Sequence, residues 1–140
     1  MSIIARSLAN YQVEITAGKH HFIADEQQDP GDDAGPNPYD LLLSSLGACV
    51  VITLHMYARR KNWPLESVEV ALDLYSIDAR ECHDCRDADP DERVAIIDKQ
   101  LSFKGDLSQE QIARLVEISD RCPLHRTLTG EIKIHTTLKA

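Results

Sequence analysis

The chain has 140 residues, a formal net charge of −8 and four cysteines. That length suits one domain with a core of its own, and the acidic balance argues against a surface built to hold nucleic-acid phosphates. No apolar stretch of signal-peptide length opens the sequence, so a cytoplasmic location is expected, where cysteines more often serve as metal ligands or redox groups than as structural staples.

Residues 2–7, 10–17 and 20–25 read as short strands, joined as hairpins by the break at Ser7-Leu8-Ala9-Asn10 and the turn Ala17-Gly18-Lys19. Tyr11, Val13 and Ile15 alternate with Gln12, Glu14 and Thr16, the period of a half-buried strand. His20 and His21 follow the turn. Neighbours on a strand point to opposite faces and cannot grip one metal together, which favours solvated turn residues over ligands. The stretch 26–36, EQQDPGDDAGP, is a polar loop whose aspartates lack the spacing and terminal Glu of a calcium loop.

The stretch from Gly35 to Lys61, GPNPYDLLLSSLGACVVITLHMYARRK, predicts one long helix. Asn37 can cap it, Pro38 suits its first position, and Asp40 and Arg59-Arg60-Lys61 complement the two ends of the helix dipole. From Leu41 to Tyr57 almost every residue is apolar or small, so the helix is expected to be covered on nearly all sides. The run from Leu41 to Leu54 falls short of the roughly 18–20 apolar residues of a membrane span, which leaves a core helix. Pro64 disfavours a helical residue before it and ends the segment.

From Ser67 to Ser76, apolar Val68, Val70, Leu72 and Leu74 alternate with the residues between them, as in a strand with one buried face. Residues 79–92, ARECHDCRDADPDE, form a charged excursion, and Arg93 to Phe103 a second strand pairing antiparallel with the first. Val94, Ile96, Leu101 and Phe103 do not keep one register, which predicts a bulge near Ile97 and Asp98. Ser108 with Gln111 forms a capping box for a further helix, with Ile112, Leu115, Val116 and Ser119 on its apolar face. Pro123 can start a short turn to Leu128, and alternating Ile132, Ile134, Thr136 and Leu138 predict a last strand over Glu131 to Leu138. An antiparallel sheet packed on its helices, the α+β class, in a single domain 1–140, is the expected architecture.

Cys49, alone in an apolar helix, has the bland reading of a small buried filler whose thiol is inert. Cys122 stands before Pro123 at a helix N-terminus, where free N–H groups and nearby Arg121, His125 and Arg126 favour a thiolate. His125 could tune that thiol. Cys82-His83-Asp84-Cys85 can be a disulfide or thiol pair, half a metal site with His83, or a loop with no further role. As a redox pair it could relay reducing equivalents to Cys49 and Cys122.

The segment GPNPYDLLLSSLGAC, followed much later by RCPLHRTL, resembles the OsmC/Ohr family of thiol-dependent peroxidases. Pro38 and Cys49 match the family's helix-opening Pro and helix Cys eleven residues on, and Cys122-Pro123 matches its Cys-Pro motif. The resemblance implies an intertwined homodimer with active sites at the dimer interface. Cys49 would be the peroxidatic cysteine and Cys122 the resolving one. The substrate would be a hydroperoxide, the reductant an external dithiol, and no cofactor, nucleic acid or membrane is implied. Family members carry a Glu after the Pro, which helps hold an Arg against the reactive thiol. Here Tyr39 takes that place with Asp40 next, and Arg6 is the only basic residue of the first hairpin before Lys19. Asp40 and Arg6 are thus the candidates for that pair. The Pro-Tyr-Asp version resembles a branch described as OsmC-like redox proteins. The rival reading is a non-enzymatic OsmC-like dimer that binds a small molecule, or a metal through Cys82 and Cys85.

Overall fold

The computed structural model describes residues 1–85, 89 and 91–139, so Arg86, Asp87, Ala88 and Pro90 of the charged excursion lie outside the described residues. The architecture is α+β, with antiparallel sheets and three helices. Two compact units divide the chain, Met1–Ser44 and Ser45–Ala140.

The first unit holds β1 (Ile3–Ser7), β2 (Val13–Ala17) and β3 (His20–Ala24), paired antiparallel in chain order. Ala17 faces His20 across a two-residue turn, where Gly18 has φ +61°, a conformation that costs glycine little and other residues more. The strands match the expected positions, but the half-buried pattern does not appear. All of β1 is exposed, and β2 shows no alternation of exposure between its apolar and polar residues. In the loop that follows, Asp25 is buried, and its carboxylate accepts hydrogen bonds from the Glu26 N–H (2.8 Å) and the Ala34 N–H (2.9 Å). Gly35 comes so close to β3 that a Cβ would collide with the Ile23 carbonyl, so only glycine fits there.

Helix α1 (Pro38–Lys61) begins on a reciprocal cap. Asn37 Oδ1 accepts from the Asp40 N–H at 2.8 Å, and Asp40 Oδ2 accepts from the Asn37 N–H at 3.0 Å. This is the capping-box arrangement built from Asn and Asp. Counted over its 24 residues, α1 is long and apolar enough to cross a membrane, which the shorter Leu41–Leu54 count understated. Its packing is that of a core helix. Leu46, Val50, Leu54 and Ala58, four apart, form a single buried line. Within this chain the cover is partial: residues such as Cys49, Val51 and Tyr57 are half-buried, and one face is left open. Ile52 and Met56, also four apart, are 59% and 60% exposed.

In the second unit, β4 (Leu65–Asp78) and β5 (Arg93–Gly105) make one long hairpin. Val68, Val70 and Leu72 pair with Phe103, Leu101 and Lys99. The register stays continuous from Ser67 to Asp78, and its only shift lies between Leu65 and Ser67, so there is no bulge at Ile97 and Asp98. The apparent break in alternation comes from Lys99, which occupies the face of Ile97, Leu101 and Phe103. Its ammonium donates to the Ser119 carbonyl (3.1 Å) and to Asp120 (2.8 Å) at the C-terminal end of α2 (Gln109–Ser119), where the dipole favours a cation.

Helix α2 opens on the predicted Ser108–Gln111 capping box. Its buried line is Leu115, Ile118 and Ser119, while Ile112 and Val116 are exposed, so the helix is rotated from the expected face. Leu46, Val50, Leu54, Leu115, Ile118 and Cys122 form the core, and β4 and β5 supply apolar side chains against it. A Cβ on Gly47 would stand 3.1 Å from Leu72 Cδ1, which shows how closely α1 rides on the sheet. Helix α3 (Pro123–Thr129) follows. The expected final strand is absent. Residues 131–139 adopt no regular element, with Ile132, Ile134 and Leu138 exposed, because among the described residues no strand pairs with them. A strand exists only as one member of a ladder.

Candidate functional site

Two elements bring Cys49 and Cys122 together. Cys49 sits on α1 one residue before the fully buried Val50, and is half-buried against the core. Cys122 is the N-cap of α3, with extended backbone (φ −64°, ψ 145°), and Pro123 takes the first helical position. That geometry turns the Cys122 side chain back over the helix start, where its Sγ accepts the His125 N–H at 3.2 Å. The Cys122 side chain is fully buried, Cys49 is close enough to act on its thiol, and neither cysteine is in a disulfide.

The electrostatics of Cys122 run against the sequence-based expectation. Burial pushes its thiol above the ordinary range, and the neighbouring Cys49 pushes it further the same way. The N–H groups of His125 and Leu124 pull it down, as the helix start should, but burial wins. Arg121 and Arg126 are exposed and do not reverse it. Burial thus favours the protonated thiol of Cys122 over its thiolate.

The other expected residues lie elsewhere. Arg6 is an exposed side chain of β1, 3.6 Å from the Glu14 carboxylate across the strand pair. Asp40 is occupied by the helix cap, and its Oδ2 also accepts from Gln27 Nε2 at 2.7 Å. Cys82 and Cys85 are joined by a disulfide. Among the described residues, Cys82, Asp84 and Cys85 are the group that could hold a metal there once that disulfide is opened, while His83 is exposed and outside it.

The structure adds a cavity of about 410 Å³ that periodicity could not reveal. Leu46, Ile97 and Leu128 give it apolar walls, and Lys99, Asp120 and His125 its polar groups. Leu46 lies on α1 with Cys49, and His125 lies on α3, which Cys122 caps. His125 Nδ1 is 4.0 Å from Asp120 Oδ1, which Lys99 already holds. A lysine on a strand normally reads as solvent-facing. Its place on a face with Ile97 and Leu101 was the one available signal.

A family model described as OsmC-like protein matches residues 31–137. Solved structures share the fold. One is a protein from Psychrobacter arcticus 273-4, 14% identical, with a TM-score of 0.71, covering 91% of this chain and 87% of that one. An OsmC-like protein from Mycoplasma pneumoniae is 20% identical, with a TM-score of 0.68 and coverage of 92% and 86%. The organic hydroperoxide resistance protein OhrB of Bacillus subtilis is 19% identical, with a TM-score of 0.60 and coverage of 92% and 90%. No curated protein matches the sequence significantly.

Proposed function

We propose that this chain, which belongs to the OsmC-like protein family, is a thiol-dependent peroxidase that reduces organic hydroperoxides through Cys49 and Cys122. The observation that carries the reading is that a half-buried thiol on α1 and a fully buried one at the start of α3 are interacting neighbours, both free of any disulfide. Cys49, the more accessible, attacks the peroxide O–O bond as its thiolate. It becomes a sulfenic acid, and the alkoxide leaves as the alcohol after taking a proton. The Cys122 sulfur then attacks the Cys49 sulfur. The S–S bond forms, the S–OH bond breaks, and the hydroxyl leaves as water with the Cys122 proton. An external dithiol reduces the disulfide by exchange and is itself oxidised to a disulfide. Asp40 serves this scheme by fixing the start of the helix that carries Cys49.

The apolar walls of the cavity favour an alkyl hydroperoxide, whose chain gains by leaving water. The printed name of the Bacillus subtilis neighbour supports the same substrate class. A cytoplasmic homodimer is part of the proposal. Exposed Ile52 and Met56 on α1 and the alternating, unpaired 131–139 segment are surfaces that a second copy would cover. Sedimentation of the wild type and of Ile52→Glu/Met56→Glu checks this, and a monomeric wild type would refute it.

The deciding experiment is peptide mapping by mass spectrometry after one equivalent of an organic hydroperoxide. A Cys49–Cys122 disulfide that forms within seconds and is lost in Cys49→Ser is the expected result. If both thiols stay reduced, the cavity favours the second reading, a small-molecule binding dimer without turnover.

A further inference from the structure

We propose that the loop after β4 is a redox-gated metal site, in which Cys82, Cys85 and Asp84 bind a zinc ion when the Cys82–Cys85 disulfide is reduced. The inference is independent of the peroxidase reading, because it uses neither Cys49 nor Cys122.

The geometry is local and anchored. The Ala79 N–H donates to the Glu92 carbonyl at 2.9 Å and closes the hairpin end, and the Cys82 N–H donates to the Ala79 carbonyl at 3.1 Å. Ala79 is itself buried, so the cysteines stand on a fixed base. Beyond it the two Cα atoms are 5.5 Å apart, and Cys82 Sγ lies 3.4 Å from Asp84 Oδ1. The two sulfurs and an Asp84 oxygen all fall within 4.8 Å of one another. The two sulfurs are that close because they are bonded to each other; with the bond broken, the two cysteines of this Cys-x-x-Cys turn and Asp84 can open around one tetrahedral ion with bonds of about 2.0–2.3 Å, leaving a fourth position for water.

Charge decides between a metal site and a thiol-exchange centre. Residues 78–92 carry seven carboxylates against two arginines, a net −5 of the chain's −8. One of those arginines, Arg80, already pairs with Asp91 at 3.4 Å. A nucleophilic cysteine needs positive surroundings that favour its thiolate. This loop offers the opposite, so a free dithiol here is a slower nucleophile than one in basic surroundings. A divalent cation reverses the balance, because it neutralises the two thiolates it coordinates and is drawn by the surrounding carboxylates. Two thiolates among three donors select zinc over calcium or magnesium, which take oxygen ligands.

The steps balance. An external dithiol gives two electrons and two protons to the Cys82–Cys85 bond, which breaks to two thiols as the donor becomes a disulfide. Zinc binding then displaces those two protons. Oxidation by a small disulfide re-forms the Cys82–Cys85 bond and releases the ion.

The test uses the full chain, reduced with a phosphine and titrated with zinc alone against a chromophoric chelator, then with cobalt for its thiolate charge-transfer band. One zinc per chain is expected, with the cobalt band present, released on oxidation. The equivalent is lost in Cys82→Ser/Cys85→Ser, weakened at least tenfold in Asp84→Asn, and kept in Cys49→Ser. The loop variants should leave the circular dichroism unchanged. Non-saturable zinc, an equivalent that survives the double serine variant, loss in Cys49→Ser, or unchanged affinity in Asp84→Asn each overturns the proposal.

Discussion

Replacing Cys122 with serine separates the resolving chemistry from the packing of the site. The side chain is fully buried in the core beside Leu115 and Val50, so the change costs stability as well as chemistry. A serine hydroxyl can still accept the His125 N–H, so the cap of α3 survives. What is lost is the fit of a larger apolar atom among apolar neighbours, on the order of 1 kcal/mol, which for a chain of this size lowers Tm by roughly 4 °C. The fold therefore remains. The redox outcome should change entirely. With no thiol to condense, Cys49 stops at the sulfenic acid after one equivalent of hydroperoxide. A 1,3-diketone then traps it, and excess peroxide carries it to the sulfinic and sulfonic acids. The assay is intact-mass spectrometry of trapped and untrapped protein, with thermal melts as the folding control. Unchanged turnover with the external dithiol in Cys122→Ser, with no adduct at Cys49, would falsify the resolving role.

Further outcomes follow from the same geometry. Leu54→Ala opens a cavity where α1 meets the rest of the core and should cost about 2–4 kcal/mol, read as a lower urea midpoint with unchanged m. A loss below about 1 kcal/mol would show that the site collapses around the gap. Asn37→Ala removes the acceptor for the Asp40 N–H and should cost about 1 kcal/mol, and no change in Tm would mean that water replaces it fully. The raised Cys122 thiol fixes a pH dependence. The folded state holds this proton more tightly than the unfolded chain, so its stabilisation is complete below the ordinary thiol pKa of about 8.5. As pH rises past that value toward the folded pKa, the stabilisation is lost, and the Tm of the wild type should fall more steeply than that of Cys122→Ala. Alkylation at pH 7–8 should label Cys49 long before Cys122, and the reverse order would contradict the burial found here.

Much of the site could be read from residue order because its parts are local devices. Asn37-Pro38-Tyr39-Asp40 contains the helix start and its cap, and Ser108 to Gln111 contains another. Cys122-Pro123 fixes an N-cap cysteine whatever surrounds it. The alternation of Val68, Val70 and Leu72 specifies a strand and its buried face, and the spacing of Pro38, Cys49 and Cys122 carries the family. These signals survive without an alignment because each depends on neighbours a few positions away.

Tertiary structure decided the rest. Periodicity cannot tell a helix buried all round from one with a face left open, so only packing showed Leu46, Val50, Leu54 and Ala58 inside with Ile52 and Met56 outside. The final segment alternates as a strand should, yet forms none, because a ladder takes a second strand as well as a suitable sequence. Lys99 looked like an interruption in β5 until the C-terminal end of α2 supplied its partners. The ionisation of Cys122 went the same way. Sequence placed it at a helix start among basic residues, but desolvation depends on the elements packed around the sulfur, and here it outweighs the helix N–H groups.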